Sequence, residues 1–524
     1  MLAMTVLGRG IGFIRGMAFC RLMDDTDVGR WSMAFGFITL ITPVMLLGIP
    51  GVLPKFTEYF RLRGQLPSFV RRIAIGTLAC TGVFVAAMFF TPSWFGYFIF
   101  LKAESASLIY SVATAMVGMI IYNFVSDLNA SLRQVRLVSL MQFIHGVGFT
   151  VLSLVWLVSG GDFQGLVWMF TAASLIATLP GFASLITNWG AVTTSHKIEN
   201  QSAELTRSAD TQNTNSNNES HCEKDSHDSD VADETGPLDL AGMIRRLAPY
   251  ALALWMVNLI GNMFELSDRY MILHFLPVPS DLTNGLSLAS IASLRETMGQ
   301  AAVGQYHSGR IIPMVLLSVA TMIAGVLVPY LSADWEAKKF AAVRTRVGDT
   351  LLAVSLIFTL GSAFAILIGP YVFGTLLQGR YTDGLRLMPM ALCFYTWAAL
   401  VSIGQCYLLT AEKGRSIAIA MFGGLVANIV LNGILLPQFG LTGAVIATLC
   451  SHCIVMLGIW SAMVIYGCPI TKTWIGLSIL PASLLVSPWM AMIAVCVGVV
   501  LIWRDDAQRE RIVEALPAKV RAFI

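Results

Sequence analysis

Arginines and carboxylates interrupt several long apolar stretches of the 524-residue chain, and these side chains are the best candidates for chemistry. Near the start, Arg9 and Arg15 lie six residues apart in an apolar run, so on a helix they point in different directions. Further along, Arg269 follows Glu265 by four residues, with Asp268 beside it. A charge inside a membrane-spanning segment is costly and usually marks a cavity or pathway. These residues therefore predict a polar cavity within an apolar protein.

The segment that carries Glu265 has a polar stripe. At positions i, i+4, i+7 and i+11 it contains Asn258, Asn262, Glu265 and Arg269, which places them on one side of a helix. Glu265 and Arg269 can pair at i, i+4, and the pair lowers the cost of burying either charge. Two interpretations stay open: the pair lines a cavity, or it is a structural pair at headgroup level. Asn258 and Asn262 lie deeper, and we expect them to face the cavity or to hydrogen-bond between helices.

Signals of enzymatic or metal chemistry are weak. His145 and His452 stand alone in apolar segments, where a packing role is favoured over a proton relay. Cys450-Ser-His-Cys453 lies in a run of small residues without further ligands, and the histidines of 190–240 match no zinc spacing. No P-loop, GxSxG or HExxH motif occurs. The sequence predicts neither a metal nor a cofactor, and it argues against an enzyme.

The elements that must position the charged residues are transmembrane helices. Hydrophobic residues make up 56% of the chain and charged residues 12%, with a mean hydropathy of +0.71. A soluble chain has about 25% charged residues. A membrane span needs roughly 20 apolar residues, and runs of that length predict an all-α, polytopic membrane protein with about 14 transmembrane helices. The net charge of +3 argues against nucleic acid as a partner.

The predicted spans fall into two groups of six, followed by two more. The first group lies near 2–20, 31–53, 73–93, 105–127, 138–158 and 165–187, and the second near 247–272, 306–330, 349–376, 386–409, 417–436 and 442–466. The run 473–503 is too long for one span, and Pro488 predicts two short helices. The predicted domains are bundles at 1–189 and 245–466, a disordered linker at 190–244, two helices at 467–503 and a tail at 504–524.

The orientation follows from the distribution of lysine and arginine among the loops. With the N-terminus in the cytoplasm, the inner loops receive about 19 of these residues and the outer loops about 8. An odd number of spans would scramble this alternation. The pattern therefore predicts an even number of crossings, two cytoplasmic ends and a cytoplasmic linker. That linker is polar and almost free of large apolar residues, which is typical of disorder.

An internal repeat relates the two groups of spans. Val28-Gly29-Arg30-Trp31 opens the second span, and Val303-Gly304-Gln305-Tyr306 opens the eighth, which is second in its own group. Each aromatic residue is followed at the same distance by a proline, Pro54 or Pro329, which is predicted to close the span. Repeats of this kind are usual in transporters, which rock one half against the other around a central site. The repeat therefore favours a carrier over an enzyme.

Several short motifs, in order along the chain, resemble the bacterial polysaccharide flippases of the multidrug/oligosaccharidyl-lipid/polysaccharide exporter (MOP) superfamily. They are Gly8-Arg9-x-x-Gly12-Phe13-x-Arg15-Gly16, Arg21-Leu22, Val28-Gly29, Leu47-Gly48-Ile49-Pro50, Asp268-Arg269-Tyr270, Gly379-Arg380-Tyr381 and Phe439-Gly440-Leu441 within Pro437–Thr442. The resemblance covers nearly the whole chain except 190–240 and 275–300. The long linker departs from the family pattern.

The resemblance implies two six-helix bundles that form a V around a cavity, in a bacterial inner membrane. It also implies export of an undecaprenyl-pyrophosphate-linked oligosaccharide by alternating access, with polymerase and glycosyltransferase partners. Arginine forks bind phosphate oxygens well, so Arg9, Arg15 and Arg269 are the predicted substrate ligands. Asp268 and Glu265 are predicted to hold Arg269. Weaker candidates are Arg295 and Arg310.

Two other functions compete with this one. A drug/cation antiporter of the same superfamily needs acidic residues deep in the bundle, whereas the deepest ionisable residues in this sequence are arginines. A membrane enzyme that polymerises or ligates the oligosaccharide is disfavoured by the internal repeat and by the short outer loops.

Overall fold

The computed structural model describes residues 2–46, 65–102, 104–213 and 240–504, together with Leu53, Thr57, Phe60 and Arg61. The secondary structure within these residues is helical throughout. The first part of the chain forms α1 (Leu2–Leu22), α2 (Asp25–Met45), α3 (Leu66–Phe90), α4 (Pro92–Phe100), α5 (Ala106–Ser131), α6 (Val135–Val158) and α7 (Phe163–Asn213).

The second part begins at Leu240. It forms α8 (Leu240–Phe275), a single turn (Ser280–Thr283), α9 (Leu288–Glu336), α10 (Phe340–Tyr371) with a π-helical end (Val372–Leu376), and α11 (Thr382–Thr410). It continues with α12 (Gly414–Ile465), α13 (Lys472–Ile479), a 3-10 segment (Leu480–Leu485) and α14 (Pro488–Arg504). The π-helical end follows Pro370.

The chain is an all-helical polytopic membrane protein, as predicted, and its described residues form the fourteen numbered helices. Two of these, α4 with nine residues and α13 with eight, are too short to span a bilayer by themselves. Within the described residues, nine helices are long and apolar enough to cross a bilayer by length and composition. Helix α12 supplies two crossings, because Gly440 has a non-helical backbone with φ of 58° and bends the helix. Helices α1 and α8, which begin the two groups, do not reach the same level of apolarity, since they carry the arginines.

The last two helices confirm the prediction for 473–503, since α14 begins at Pro488 and the preceding helical segment ends at Leu485. The prediction for Pro329 was wrong. This proline lies inside α9, which continues to Glu336. Proline is tolerated within transmembrane helices because neighbouring groups satisfy the backbone carbonyl that it leaves free. Pro54 lies outside the described residues. Helix α4 was not predicted, since its nine residues are too few for a span.

The structure also corrects the first part of the predicted linker. Helix α7 continues through the polar residues up to Asn213, where disorder was expected. No proline and only one glycine, Gly190, fall between 190 and 213, so nothing in that stretch breaks the helix. Helix α8 begins at Leu240. The rest of the predicted linker, 214–239, and the tail 505–524 lie outside the described residues.

The two groups of helices meet at one end of the molecule, which we call the closed end. There α2 crosses α9, and the Cα of Gly29 lies against the carbonyl of Gln300 while Gly304 lies against the carbonyl of Asp25. Around this crossing, Gln305 Nε2 donates to Asp25 Oδ2 over 3.4 Å. An ion pair of 3.2 Å joins Lys102 to Glu296. Glycine backbones, hydrogen bonds and an ion pair together close this end.

The opposite end, which we call the open end, is less tightly packed around α1. A side chain added at Gly8, Gly10 or Gly12 would meet nothing within 4 Å. Further along the same helix, at Gly16, an added Cβ would lie 3.4 Å from the side chain of Ile311 on α9. The first half of α1 is therefore unpacked along its glycines, and contact with α9 begins at Gly16.

Candidate functional site

Glu265 of α8 binds two arginines at the boundary between the helix groups. Arg310 Nη2 donates to both carboxylate oxygens of Glu265, over 2.5 and 3.1 Å. Arg269 Nη2 lies 3.5 Å from Glu265 Oε2, one helical turn away on α8. The two arginine side chains are only 6–7% exposed, whereas Glu265 is 39% exposed. The predicted pair of Glu265 and Arg269 is present, and Arg310 joins it as a closer partner.

Two tyrosines surround the guanidinium group of Arg310. Its Nε and Nη2 donate to the hydroxyl of Tyr395 on α11, over 3.0 and 2.6 Å. Its guanidinium carbon lies 4.9 Å from the ring centre of Tyr306, where the ring face favours a cation. The remaining nitrogens are under-used, because Arg310 Nη1 and Arg269 Nε are buried and have no hydrogen-bond partner. Buried donors of this kind are costly until an acceptor is bound.

Arg269 also connects the two groups of helices. Its Nη1 donates to the backbone carbonyl of Ser32 on α2, over 3.2 Å. One turn along α9 from Gly304, His307 Nδ1 lies 3.3 Å from the hydroxyl of the same Ser32. The close approach needs a small residue, because a Cβ at Gly36 would lie 3.2 Å from Arg269 Nη1. The arginine cluster, which we define as Glu265, Arg269 and Arg310, thus lies directly against α2.

Asp268 has a different environment from the one predicted. It does not hold Arg269 but points to the other side of α8, where it is 2% exposed. Its oxygens accept four hydrogen bonds from neutral donors on α9 and α12, at 2.6–3.0 Å: Tyr306 Oη, Asn428 Nδ2, Asn432 Nδ2 and Thr448 Oγ1. The prediction failed because neighbouring residues on a helix point about 100° apart, so Asp268 and Arg269 face different partners.

A cavity of about 210 Å³ adjoins both groups of residues. Its polar wall combines Glu265 and Arg310 with Asp268, and its apolar wall includes the ring of Phe394. His452 also lines the cavity, and its Nδ1 lies 2.9 Å from the backbone carbonyl of Thr448. Among the described contacts, His452 makes no hydrogen bond to a carboxylate. The arginine cluster and Asp268, whose hydrogen-bond partners are all neutral, therefore adjoin the same cavity inside the second group of helices.

Arg15, on α1 of the first group, packs on an aromatic ring of the same group. The Arg15 guanidinium carbon lies 4.6 Å from the ring centre of Phe149 on α6. Its neighbour Gly16 contacts Ile311, which follows Arg310 on α9, so Arg15 and Arg310 lie at the same level of the molecule. His145 Nε2 lies 3.1 Å from the hydroxyl of Ser174 and the imidazole stacks on a tyrosine ring, as expected for a satisfied packing histidine.

The other predicted residues lie away from the cluster. Arg9 is exposed toward the open end, and Asn258 is exposed on α8 while Asn262 donates to the carbonyl of Asn258 over 3.0 Å. Arg295 is at the closed end, where its Nη2 donates to the carbonyl of His274 over 2.7 Å. The structure therefore brings together Glu265, Arg269 and the weaker candidate Arg310.

Several residues of the site were missed in the sequence. For Tyr306, Tyr395 and Ser32 the sequence offers no signal, since aromatic and hydroxyl residues are common in apolar spans. Asn428 and Asn432 did offer one, because they stand at i, i+4 in an otherwise apolar helix. Amide side chains in that position usually bond between helices.

The family comparison agrees with the first part of the chain. Residues 1–211 match the family described as polysaccharide biosynthesis protein. No curated protein matches the chain by sequence.

Solved structures resemble it over most of its length. The lipid II flippase MurJ in an inward closed conformation superposes with a TM-score of 0.65 at 11% identity, covering 97% of this chain and 99% of MurJ. An inward-facing multidrug resistance MATE family transporter of the MOP superfamily gives 0.62 at 13% identity, covering 89% and 95%. An outward-facing one gives 0.56 at 12%, covering 89% and 94%. The chain is therefore a protein whose residues 1–211 match the polysaccharide biosynthesis protein family and whose fold is shared with the lipid II flippase MurJ and with a MATE family transporter of the MOP superfamily.

Proposed function

We propose that this protein is a flippase that moves a polyprenyl-pyrophosphate-linked oligosaccharide from the inner to the outer leaflet for surface polysaccharide synthesis. The observation that carries the proposal is the arginine cluster. Two buried guanidinium groups share the single carboxylate of Glu265, so Glu265 alone does not balance both charges. The cluster also keeps two unpartnered N–H donors, Arg310 Nη1 and Arg269 Nε. An anion with several oxygens would complete both the charge and the hydrogen bonds.

A pyrophosphate suits this cluster better than a single carboxylate or a neutral head group. Arginine presents its donors in a planar fork that matches phosphate oxygens. Glu265 competes for the same donors, so the phosphate is bound without being trapped, and the carboxylate can take the arginines back on release. Arg15, at the same level on α1, supplies a third cation from the opposite group of helices.

Alternating access follows from the two ends of the molecule. We propose that the closed end faces the outer leaflet, because that orientation puts most loop lysines and arginines on the cytoplasmic side. Substrate would enter at the open end, and opening of the crossing between Gly29 and Gly304 would release it.

We propose that a monovalent cation at Asp268 drives the cycle. The carboxylate has only neutral hydrogen-bond partners among the described residues, so its charge is not balanced by a direct ion pair. The side-chain amide oxygen of Asn432, Oδ1, is buried and has no hydrogen-bond partner. The Asp268 carboxylate, the hydroxyl oxygens of Tyr306 and Thr448 and the unpartnered Oδ1 of Asn432 are hard oxygen ligands, which suit a cation of low charge such as Na⁺.

The proposed substrate is tested by thermal denaturation of the purified protein in detergent. We expect a polyprenyl-pyrophosphate oligosaccharide to raise the melting temperature, because a ligand that binds only the folded state stabilises it. The same lipid with one phosphate should raise it less, and Arg310→Lys, which keeps the charge but loses the fork, should reduce the difference. No stabilisation by the pyrophosphate lipid would contradict the proposal.

A drug/cation antiporter is the second candidate, and one observation favours it. Such a transporter needs an acidic residue deep in a bundle, and Asp268 is 2% exposed inside the second group of helices. The cavity beside it is partly aromatic, with Phe394 and Tyr395 in its walls. Stabilisation by cationic dyes and not by the pyrophosphate lipid would favour this function.

A further inference from the structure

Four aromatic rings form a continuous series at the closed end, and we call them the aromatic ladder: Trp94, Phe98, Tyr270 and His274. Trp94 and Phe98 on α4 are stacked, with ring centres 5.2 Å apart and planes 6° apart. Tyr270 and His274 on α8 are stacked at 4.5 Å and 23°. Between the pairs, the rings of Phe98 and Tyr270 lie 5.2 Å apart at 51°. The ladder thus joins one pair from each group of helices.

The middle contact of the ladder crosses the boundary that must part when the closed end opens. The Tyr270 hydroxyl donates a hydrogen bond to the carbonyl of Phe98, and two residues later the carbonyl of Phe100 accepts one from Gln300 Nε2 over 3.1 Å. Both bonds join α4 to the second group of helices. Opening therefore splits the ladder between Phe98 and Tyr270 and leaves one stacked pair on each wall of the exit.

The ladder lies in the path of the part of the substrate that follows the pyrophosphate. Tyr270 directly follows Arg269 along α8. His274 lies five residues after Arg269, which at the rise of an α-helix places it about 7.5 Å closer to the closed end. Arg269 contacts α2 and Tyr270 contacts α4, so both side chains face the first group of helices. Sugars that follow a pyrophosphate on the arginine cluster would therefore extend between the two groups toward the ladder. Trp94 is already 59% exposed at the far end of the ladder.

The chemistry of the ladder matches sugar rings and not a second anion. The cations nearest to it are engaged: Lys102 with Glu296 at 3.2 Å, and Arg295 with the carbonyl of His274 at 2.7 Å. Ring faces carry partial negative charge, and the C–H face of a pyranose is apolar and weakly positive.

We propose that the aromatic ladder is an exit site that stacks on the pyranose rings of the oligosaccharide as the closed end opens. In the closed state the rings of Phe98 and Tyr270 contact each other across the boundary between the two groups of helices. In the open state sugar rings take the place of this contact. The inference rests on the proposed function. It adds that the sugar portion, in addition to the lipid pyrophosphate, is bound by named residues of this chain.

The experiment compares two lipids in vesicles containing the reconstituted protein: a polyprenyl pyrophosphate with one sugar, and the same lipid with a repeat unit of several sugars. Trp94→Leu and Phe98→Leu keep an apolar side chain but remove the stacking face. We expect export of the longer glycan to fall about three- to tenfold, which is the effect of losing one aromatic pair. Export of the one-sugar lipid should be unchanged.

Phe89→Leu is the matched control, because Phe89 stacks on Tyr110 at 5.1 Å and 21° within the first group of helices and is 56% exposed. It should leave export of both lipids unchanged. Tyr270→Phe keeps the ring and loses only the hydrogen bond to the Phe98 carbonyl. We therefore expect it to export the longer glycan as the wild type does. Equal losses for both lipids, or none, would overturn the exit site alone. Failure of the wild-type protein to move either lipid would instead overturn the proposed function and the site with it.

Discussion

Gly29 of α2 and Gly304 of α9 lie where the two helices cross, and each packs against the backbone of the other helix. A Cβ at Gly29 would overlap the carbonyl oxygen of Gln300, and one at Gly304 would overlap that of Asp25. The two glycines also hold matching places in the internal repeat, in Val28-Gly29-Arg30-Trp31 and Val303-Gly304-Gln305-Tyr306. The repeat therefore places a glycine on each of the two helices that cross at the closed end, which lets their backbones come into contact.

Gly304→Ala should prevent the closed end from closing. The added methyl group meets backbone and not a movable side chain, so the cost falls in or above the about 1–3 kcal/mol typical of overpacking. We expect a cysteine at the closed end to become more reactive toward a water-soluble maleimide, and export to be lost. Gly325→Ala on the same helix is the control, since an added Cβ there meets nothing within 4 Å. Equal labelling of both variants would show that the crossing does not close the exit.

The ion pair of Glu265 and Arg310 should be strongly coupled. Removing one partner of a buried pair costs about 3–5 kcal/mol, and the 39% exposure of Glu265 puts the expectation at the lower end of that range. Glu265→Gln and Arg310→Gln should each lower the melting temperature. The double variant should lose less than the two single losses combined, because removal of Glu265 then leaves one arginine without its carboxylate, Arg269, instead of two. Additive losses would mean that the pair does not stabilise the protein.

Asp268→Asn should remove the response to sodium. The amide keeps the shape of the carboxylate but not its charge, so a cation bound there loses its main partner. For the wild type we expect sodium to raise the melting temperature in a concentration-dependent way. At 100 times the dissociation constant, the free energy of unfolding should rise by about 2.7 kcal/mol. Asp334→Asn, which alters an ion pair with Arg346, is the control and should keep the response. A sodium response that survives in Asp268→Asn would exclude this residue as the cation ligand.

Arg15 and Arg9 should differ in their importance for export. Arg15 lies over the Phe149 ring at the level of the arginine cluster, whereas Arg9 is exposed toward the open end. Arg15→Ala should insert normally into the membrane and stop the appearance of surface polysaccharide. Arg9→Ala should reduce it much less. The amount of polysaccharide on cells, normalised to protein in the membrane fraction, checks both, and an equally mild effect of the two variants would remove Arg15 from the substrate path.

The helices themselves could be predicted from the sequence, because length and apolarity decide whether a segment crosses a bilayer. Helix α14 illustrates this, since it begins at Pro488 as expected. The end of α7 could not be predicted in the same way. The residues up to Asn213 are polar enough to suggest disorder, but they also contain nothing that breaks a helix.

The site could be predicted only along single helices. The pair of Glu265 and Arg269 follows from their spacing on α8, and the structure contains it. Arg310 lies 45 residues from Glu265 along the chain, so its place in the cluster depends on how α8 packs against α9. The same holds for Asp268, whose partners on α9 and α12 are 38 to 180 residues away. Spacing within a helix carries no information about these contacts.

The most direct test of the central claim is leaflet exchange of a polyprenyl-pyrophosphate oligosaccharide in vesicles containing the reconstituted protein. A water-soluble lectin or glycosidase outside the vesicles would measure the fraction of glycan that reaches the outer leaflet. We predict that the wild-type protein moves the lipid faster than protein-free vesicles do, and that Arg269→Gln, which leaves Glu265 and Arg310 paired, falls to the protein-free rate. Exchange by the wild type at the protein-free rate, or undiminished exchange by Arg269→Gln, would contradict the account.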